Sequence, residues 1–303
     1  MLYDRPQETA GEDAMDGPEI GLEGFSPRTH WSRRGFVMTS LVTGFTLPVR
    51  PVSAQTMTTD TNGLEAGEVK VPVKDGTIPA YRAMPAQGGP FPTVLVVQEV
   101  FGVHEHIKDI CRRLAKLRYY AIALELYARQ ANPAQYTDTR ELIQNIVAKV
   151  PTDQVMSDLE AAVAYAKASG KADTNKLAVT GFCWGGWATW MYAAHNPGLK
   201  AAVSWYGTDR PVTELTPKNP LDIAADVKCP VLAFHGGQDN SISTDAIEKR
   251  EAACKAAGKG CEFKVYPDAQ HGFNADYRPS YNADDAKDAW ARMLSWFKEH
   301  GVG

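Results

Sequence analysis

The sequence contains no run of 18 apolar residues, so nothing in it is long enough to span a bilayer as a helix, which takes about 20. It has no basic stripe. Lys and Arg number 32 against 36 Asp and Glu, a formal charge of −4, and nucleic-acid or anionic-membrane binding therefore has no electrostatic support. Cysteine is sparse, at five positions (111, 183, 229, 254 and 261), with no Cys-x-x-Cys pair, and the seven His are scattered. A structural zinc site is not expected on that spacing. No internal repeat or low-complexity tract occurs after the first 54 residues, so solenoid and array architectures are excluded as well.

The N-terminal stretch reads as an address. Residues 1–30 are polar and aperiodic. Ser32-Arg33-Arg34-Gly35-Phe36 then leads into an 11-residue apolar stretch at 37–47, and Val52-Ser53-Ala54 supplies small residues for cleavage. A twin arginine, a short apolar region and an Ala-x-Ala-like end predict a Tat-type export signal over 1–54. The polar lead-in is long, and Met15 is an alternative start. The expected mature chain, 55–303, is periplasmic or secreted, and folds before it crosses the membrane. The signal holds five Arg against seven acidic residues, which leaves the mature chain near −2. About 250 residues suit one domain with a single core. An oxidising compartment permits a disulfide. Cys254 and Cys261 flank a helix-to-strand turn where a bridge or two free thiols are both compatible with the sequence, whereas Cys111 and Cys229 read as small buried apolar residues.

Periodicity predicts alternating strands and helices. Residues 67–73 and 78–82, around Asp75-Gly76, read as a hairpin. Strands are expected at 92–99, 119–124, 175–180, 200–205, 230–235 and 262–266. Helices are expected at 104–118, 137–150, 153–168, 187–196, 244–257 and 284–299. This order argues a single α/β domain with a mostly parallel sheet and helices on both faces.

One turn stands out. Gly181-Phe182-Cys183-Trp184-Gly185-Gly186 joins the strand at 175–180 to a helix, the context of a nucleophile elbow with Cys at its apex. Such a turn strains the central residue and aims the helix N-terminus at its sulfur. Taken alone the motif is weak, and a small buried Cys in a tight turn fits equally well. Partners are sought beyond strand C-termini, where active residues of such sheets lie. Asp239 follows the strand at 230–235 within Gly236-Gly237-Gln238-Asp239, and His271 follows the strand at 262–266. Cys, Asp and His thus occur in the chain order of an α/β-hydrolase triad. A thiolate nucleophile, a proton-shuttling imidazole and a carboxylate to orient it point to acyl transfer. The oxyanion donors are expected to be the backbone N–H groups of Trp184 and Val100.

These motifs, together with Gln98-Glu99-Val100-Phe101-Gly102 and His271-Gly272-Phe273, resemble the dienelactone hydrolase (carboxymethylenebutenolidase) family from about residue 68 to 300. The resemblance implies cofactor-free hydrolysis of a cyclic enol-lactone. It implies that Glu99 pairs with the Cys183 thiol in the empty site and accepts its proton, which is chemically sensible if burial raises the carboxyl pKa. It also implies that arginines hold a substrate carboxylate. Arg129 matches the first. Arg278 lies only near the second, whose best-matching position is Ala275, and this departure leaves the particular lactone open. Phe101, Tyr127, Trp184 and Tyr206 are candidate pocket aromatics. The expected partner is a small lactone or ester. A monomer is favoured, with no nucleic acid and no membrane in the mature form. The alternatives are a broader exported carboxylesterase and a non-catalytic thiol binding or redox protein.

Overall fold

The computed structural model describes residues 57–303, and the proposed export signal lies outside the described residues. Eight strands form one sheet: β1 (Leu64–Val73), β2 (Gly76–Pro85), β3 (Phe91–Val97), β4 (Tyr120–Leu124), β5 (Ala172–Phe182), β6 (Ala201–Trp205), β7 (Val231–Gly236) and β8 (Cys261–Tyr266). Their spatial order is β1-β2-β4-β3-β5-β6-β7-β8. The β1–β2 hairpin and the β2–β4 pair are antiparallel, and the remaining pairs are parallel. Seven α-helices join them: α1 (Glu105–Lys116), α2 (Thr139–Asn145), α3 (Thr152–Ala168), α4 (Trp184–His195), α5 (Pro220–Ile223), α6 (Thr244–Ala256) and α7 (Ala283–Glu299).

Continuous apolar runs make the central strands. Every residue of β4, β6 and β7 is buried, as suits a sheet covered on both faces. Helix α1 packs on β2 and β4 through Ile107, Ile110, Cys111 and Leu114, spaced for one helical face. Each such aliphatic side chain contributes about 1.5–3 kcal/mol on burial. Among the described residues no helix is long and apolar enough to cross a membrane.

The sheet has a switch point at β3. The chain leaves β3 for β4 on one side and later enters β5 on the other. A crevice opens at such a place, beyond the carboxyl ends of the strands. Register then sets what lies beside it. Val97 pairs with Gly181, so Gln98 and Glu99 emerge next to Phe182 and Cys183. Gly236 pairs with Tyr266, so the loops carrying Asp239 and His271 also emerge together.

Several boundaries differ from the sequence reading. The helix expected over 137–150 is α2 followed by a separate 3-10 turn, Val147–Lys149. Strand β3 ends at Val97, and Glu99 instead forms an isolated bridge with Gly102. The elbow helix starts at Trp184 rather than 187, with both glycines inside it. Cys254 and Cys261 form a disulfide that ties the end of α6 to the start of β8, and Cys111, Cys183 and Cys229 are free thiols. Burial raises the Cys111 thiol and pushes that of Cys229 up to about 12, in keeping with inert packing.

Candidate active site

Cys183 sits between β5 and α4 with φ 56° and ψ −116°, a backbone conformation that a non-glycine residue adopts only where its surroundings enforce it. The enforcement is visible. The Cys183 N–H donates to the Trp205 carbonyl at 3.0 Å, and the Cys183 carbonyl accepts from Gly186 N–H at 2.9 Å. A Cβ at Gly181 would collide with the Gly185 carbonyl, and one at Gly185 with the Gln98 carbonyl. The glycines therefore allow α4 to start immediately after the cysteine and pack against the end of β3. As the first residue of α4, Trp184 has no intrahelical acceptor for its N–H.

His271 lies near enough to Cys183 for the sulfur to act on the charge of its ring. Its Nδ1 lies 2.7 Å from Asp239 Oδ2. Ser241 completes the arrangement. Its Oγ donates to Asp239 Oδ1 at 2.5 Å and lies 3.1 Å from His271 Nδ1, while its N–H donates to the same Asp239 oxygen at 2.8 Å. Burial disfavours the imidazolium, but the Asp239 carboxylate and the Cys183 sulfur outweigh it and push His271 up to about 10. Burial likewise opposes ionisation of Asp239, yet the His271 and Ser241 contacts hold its pKa below the ordinary carboxylate value. The three residues chosen from separate strand ends are thus brought together. Cys183, Val100, Trp184 and Ser241 line one cavity of about 130 Å³ with Thr208, Asp209, Arg210 and residues of the 143–148 segment. A larger cavity, about 550 Å³, lies at the opposite end of the strands around Gly89, Leu117 and Lys176, and has no Cys, His, Asp or Glu side chain in its lining.

Glu99 is placed differently from the expectation. Its buried carboxylate accepts from Tyr277 Oη, lies 3.1 Å from His104 Nε2 and forms an ion pair with Arg278 Nη2 at 3.5 Å. Burial does push its pKa upward, but Arg278 and His104 win, and the carboxyl lies well below the usual range. The expectation of a raised pKa is therefore reversed, because a buried guanidinium sits beside the carboxylate.

The arginines divide. Arg278 is buried at the site against Glu99, with its guanidinium 5.4 Å from the Phe101 ring and 5.3 Å from that of Tyr277. Arg129 is not brought to the cavity. Its fork is taken up by Asp75 at the hairpin turn (2.6–2.8 Å) and by Asp158 of α3 (2.7 and 2.9 Å), so it ties the β1–β2 hairpin to the helix layer. Of the aromatics, Trp184 lines the cavity. Tyr127 packs edge-on behind it at 5.0 Å. Tyr206, with φ 40°, packs edge-on to His271 at 5.0 Å, and its buried hydroxyl has no hydrogen-bond partner among the described residues. Sequence reasoning missed His104, Ser241, Tyr277 and Arg210. The signal for Ser241 is the Asp239-Asn240-Ser241 turn, and that for Arg210 is its place in the loop after β6, another strand C-terminus. Among the described residues no group of three or more His, Cys, Asp or Glu is placed to hold a metal ion.

The sequence matches the dienelactone hydrolase family over residues 78–301. A Methylorubrum extorquens protein named "Putative carboxymethylenebutenolidase" is 60% identical over 292 residues, covering 95% of this chain and 100% of that protein. An Escherichia coli K12 protein of the same name is 49% identical over 267 residues, covering 87% of this chain and 97% of its own length. A crystal structure titled as a putative dienelactone hydrolase, from Klebsiella pneumoniae, is 50% identical with a TM-score of 0.76, covering 78% of this chain and 99% of that one. The chain belongs to the dienelactone hydrolase family and is a hydrolase of lactone-type carboxylic ester bonds.

Proposed function

We propose that the chain hydrolyses its lactone or small ester through Cys183, His271 and Asp239, by way of an acyl-thioenzyme. The observation that carries this reading is the strained Cys183 at the start of α4, facing an imidazole that is itself held by Asp239 at 2.7 Å. His271 takes the thiol proton, and Cys183 Sγ attacks the carbonyl carbon as the thiolate. The oxyanion is met by the N–H groups of Trp184 and Val100, both of which line the cavity with the sulfur. Collapse breaks the acyl C–O bond, and His271 Nε2 protonates the departing oxygen. In a lactone that oxygen stays tethered to the acyl-thioenzyme, so the open acid is released only when water cleaves the thioester. His271 then takes a proton from water, whose oxygen attacks the thioester carbon and releases Sγ. Asp239 and Ser241 keep Nδ1 turned away from the reaction. Glu99 is given a positioning role, fixing Arg278, Tyr277 and His104 beside the nucleophile.

The test is hydrolysis of a dienelactone, a neutral lactone and 4-nitrophenyl acetate by wild type, Cys183→Ala and His271→Ala. Each variant is expected to lose at least about 10³-fold in kcat. Full activity in either one sinks the mechanism.

Export by the twin-arginine route is part of the same proposal. It is supported by Arg33-Arg34 and by the Cys254–Cys261 disulfide, a bond that persists in oxidising compartments. Replacing Arg33 and Arg34 with Lys is expected to hold the precursor in the cytoplasm, and continued export would mean another route.

A further inference from the structure

Arg210 lies on the loop after β6, in the lining of the cavity that holds Cys183. It is only 8% exposed. Its backbone is fixed by Asn219, which accepts from the Arg210 N–H and donates to its carbonyl, both at 2.8 Å. Its guanidinium stacks over Trp187 at 4.5 Å and Trp184 at 5.8 Å. It donates to the Val147 carbonyl at 2.7 Å and to that of Val150 at 3.4 Å. All of these partners are neutral. The Nε–H and one Nη1–H have no protein acceptor among the described residues, out of the five donors of the fork.

A buried cation without a counter-charge is costly, and elsewhere in this chain that cost is met by a carboxylate. Arg278 has Glu99, Arg129 has Asp75 and Asp158, and Arg250 has Asp209 at 2.7 Å. Asp209 is the other charged residue lining the cavity beside Arg210, and it is already engaged by Arg250. Among the described residues Arg210 forms no ion pair with a carboxylate. Burial pushes its pKa down to about 10, which still leaves it a cation at neutral pH.

We propose that Arg210 is the specificity-determining residue of the site, and that its missing counter-ion is a carboxylate carried by the substrate. The claim rests on the hydrolase reading for which bond is broken, but not for where the anion binds. The planar fork suits a carboxylate, and the two indoles hold it rigid before the substrate arrives. Arg129, the matching position by sequence, is spent on the hairpin, so the anion-binding task passes to a different loop.

The test separates charge from shape. The ligands are (5-oxofuran-2-ylidene)acetate and its primary amide, which share one ring and differ in charge. Calorimetric binding to Cys183→Ala protein avoids turnover. In that background Arg210→Gln is expected to weaken the acid about 100-fold relative to the amide, the loss of two charge-assisted hydrogen bonds. Arg210→Lys, which keeps charge without the fork, is expected to lower the acid-to-amide ratio about 10-fold, and carries the test if Arg210→Gln does not fold. Equal weakening of acid and amide, or acid binding indifferent to both substitutions, overturns the proposal. Arg210-dependent acid binding in a protein whose wild type leaves that acid unhydrolysed would uphold the anion site while overturning the hydrolytic reading.

Discussion

Replacing Glu99 with Gln keeps the side chain's shape and removes its charge. The carboxylate is fully buried, and it receives Tyr277 Oη and His104 Nε2 while facing Arg278 Nη2 at 3.5 Å. Gln can still accept from Tyr277, so the dominant loss is the buried ion pair. Removing one partner of such a pair costs about 3–5 kcal/mol, and the retained hydrogen bond places this case near the lower end. At about 2–4 °C per kcal/mol for a domain of this size, Glu99→Gln is expected to lower Tm by about 6–12 °C. The pH dependence has a definite sign. A carboxyl whose folded pKa is depressed contributes its full stability above the ordinary carboxylate range and loses it as pH falls toward the folded value. The wild-type advantage over Glu99→Gln is therefore constant above about pH 4.5 and shrinks below it. Adding Arg278→Met is expected to recover part of the loss, because the two changes remove one shared interaction. Thermal melts of the four proteins across pH decide the matter. A Tm for Glu99→Gln within about 1 °C of wild type, or strict additivity with Arg278→Met, would refute the reasoning.

Other expectations follow from the same geometry. His271 is raised to about 10, so its contribution to stability is complete below about pH 6.5 and is lost as pH climbs through 10; the Tm difference between wild type and His271→Gln is expected to shrink over that window. Ser241→Ala removes the Oγ hydrogen bond to Asp239 and the Oγ contact with His271 Nδ1 while keeping the backbone N–H bond to Asp239, and is expected to lower kcat about 3- to 10-fold with KM little changed, read by steady-state kinetics. The mature chain under denaturing, non-reducing conditions is expected to show only the thiols of Cys111, Cys183 and Cys229; breaking the Cys254–Cys261 bridge, which closes a short loop, is expected to cost about 2–3 kcal/mol in denaturant titrations.

The triad could be read from the sequence because its signals are local. A strand end followed by Gly-x-Cys-x-Gly, by Gly-Gly-Gln-Asp or by His-Gly-Phe is visible within a few residues, and parallel register then brings the three ends together. What escaped reading depends on partners remote in the chain. Arg129 follows β4 as a substrate-binding arginine would, but the hairpin turn at Asp75 and the buried Asp158 reach it first. Glu99 and Arg278 are 179 positions apart, and no periodicity announces their contact, so the sign of the Glu99 shift could not be foreseen. The helix expected from 187 starts three residues earlier, at Trp184, with Gly185 and Gly186 inside it. The close passage of the backbone at the end of β3 requires Gly185, and that of Trp205 and Gly207 at the end of β6 requires Gly186.

The central claim is that Cys183 carries the acyl group. Rapid-quench intact-mass measurement during turnover of 4-nitrophenyl acetate tests it directly. A transient adduct of one acetyl group is expected, mapped to the peptide containing Cys183, absent from Cys183→Ala, and accompanied by a burst of 4-nitrophenol equal to the enzyme present. Sustained hydrolysis by Cys183→Ala, or an acetyl group mapped to another residue at the rate of turnover, would contradict it.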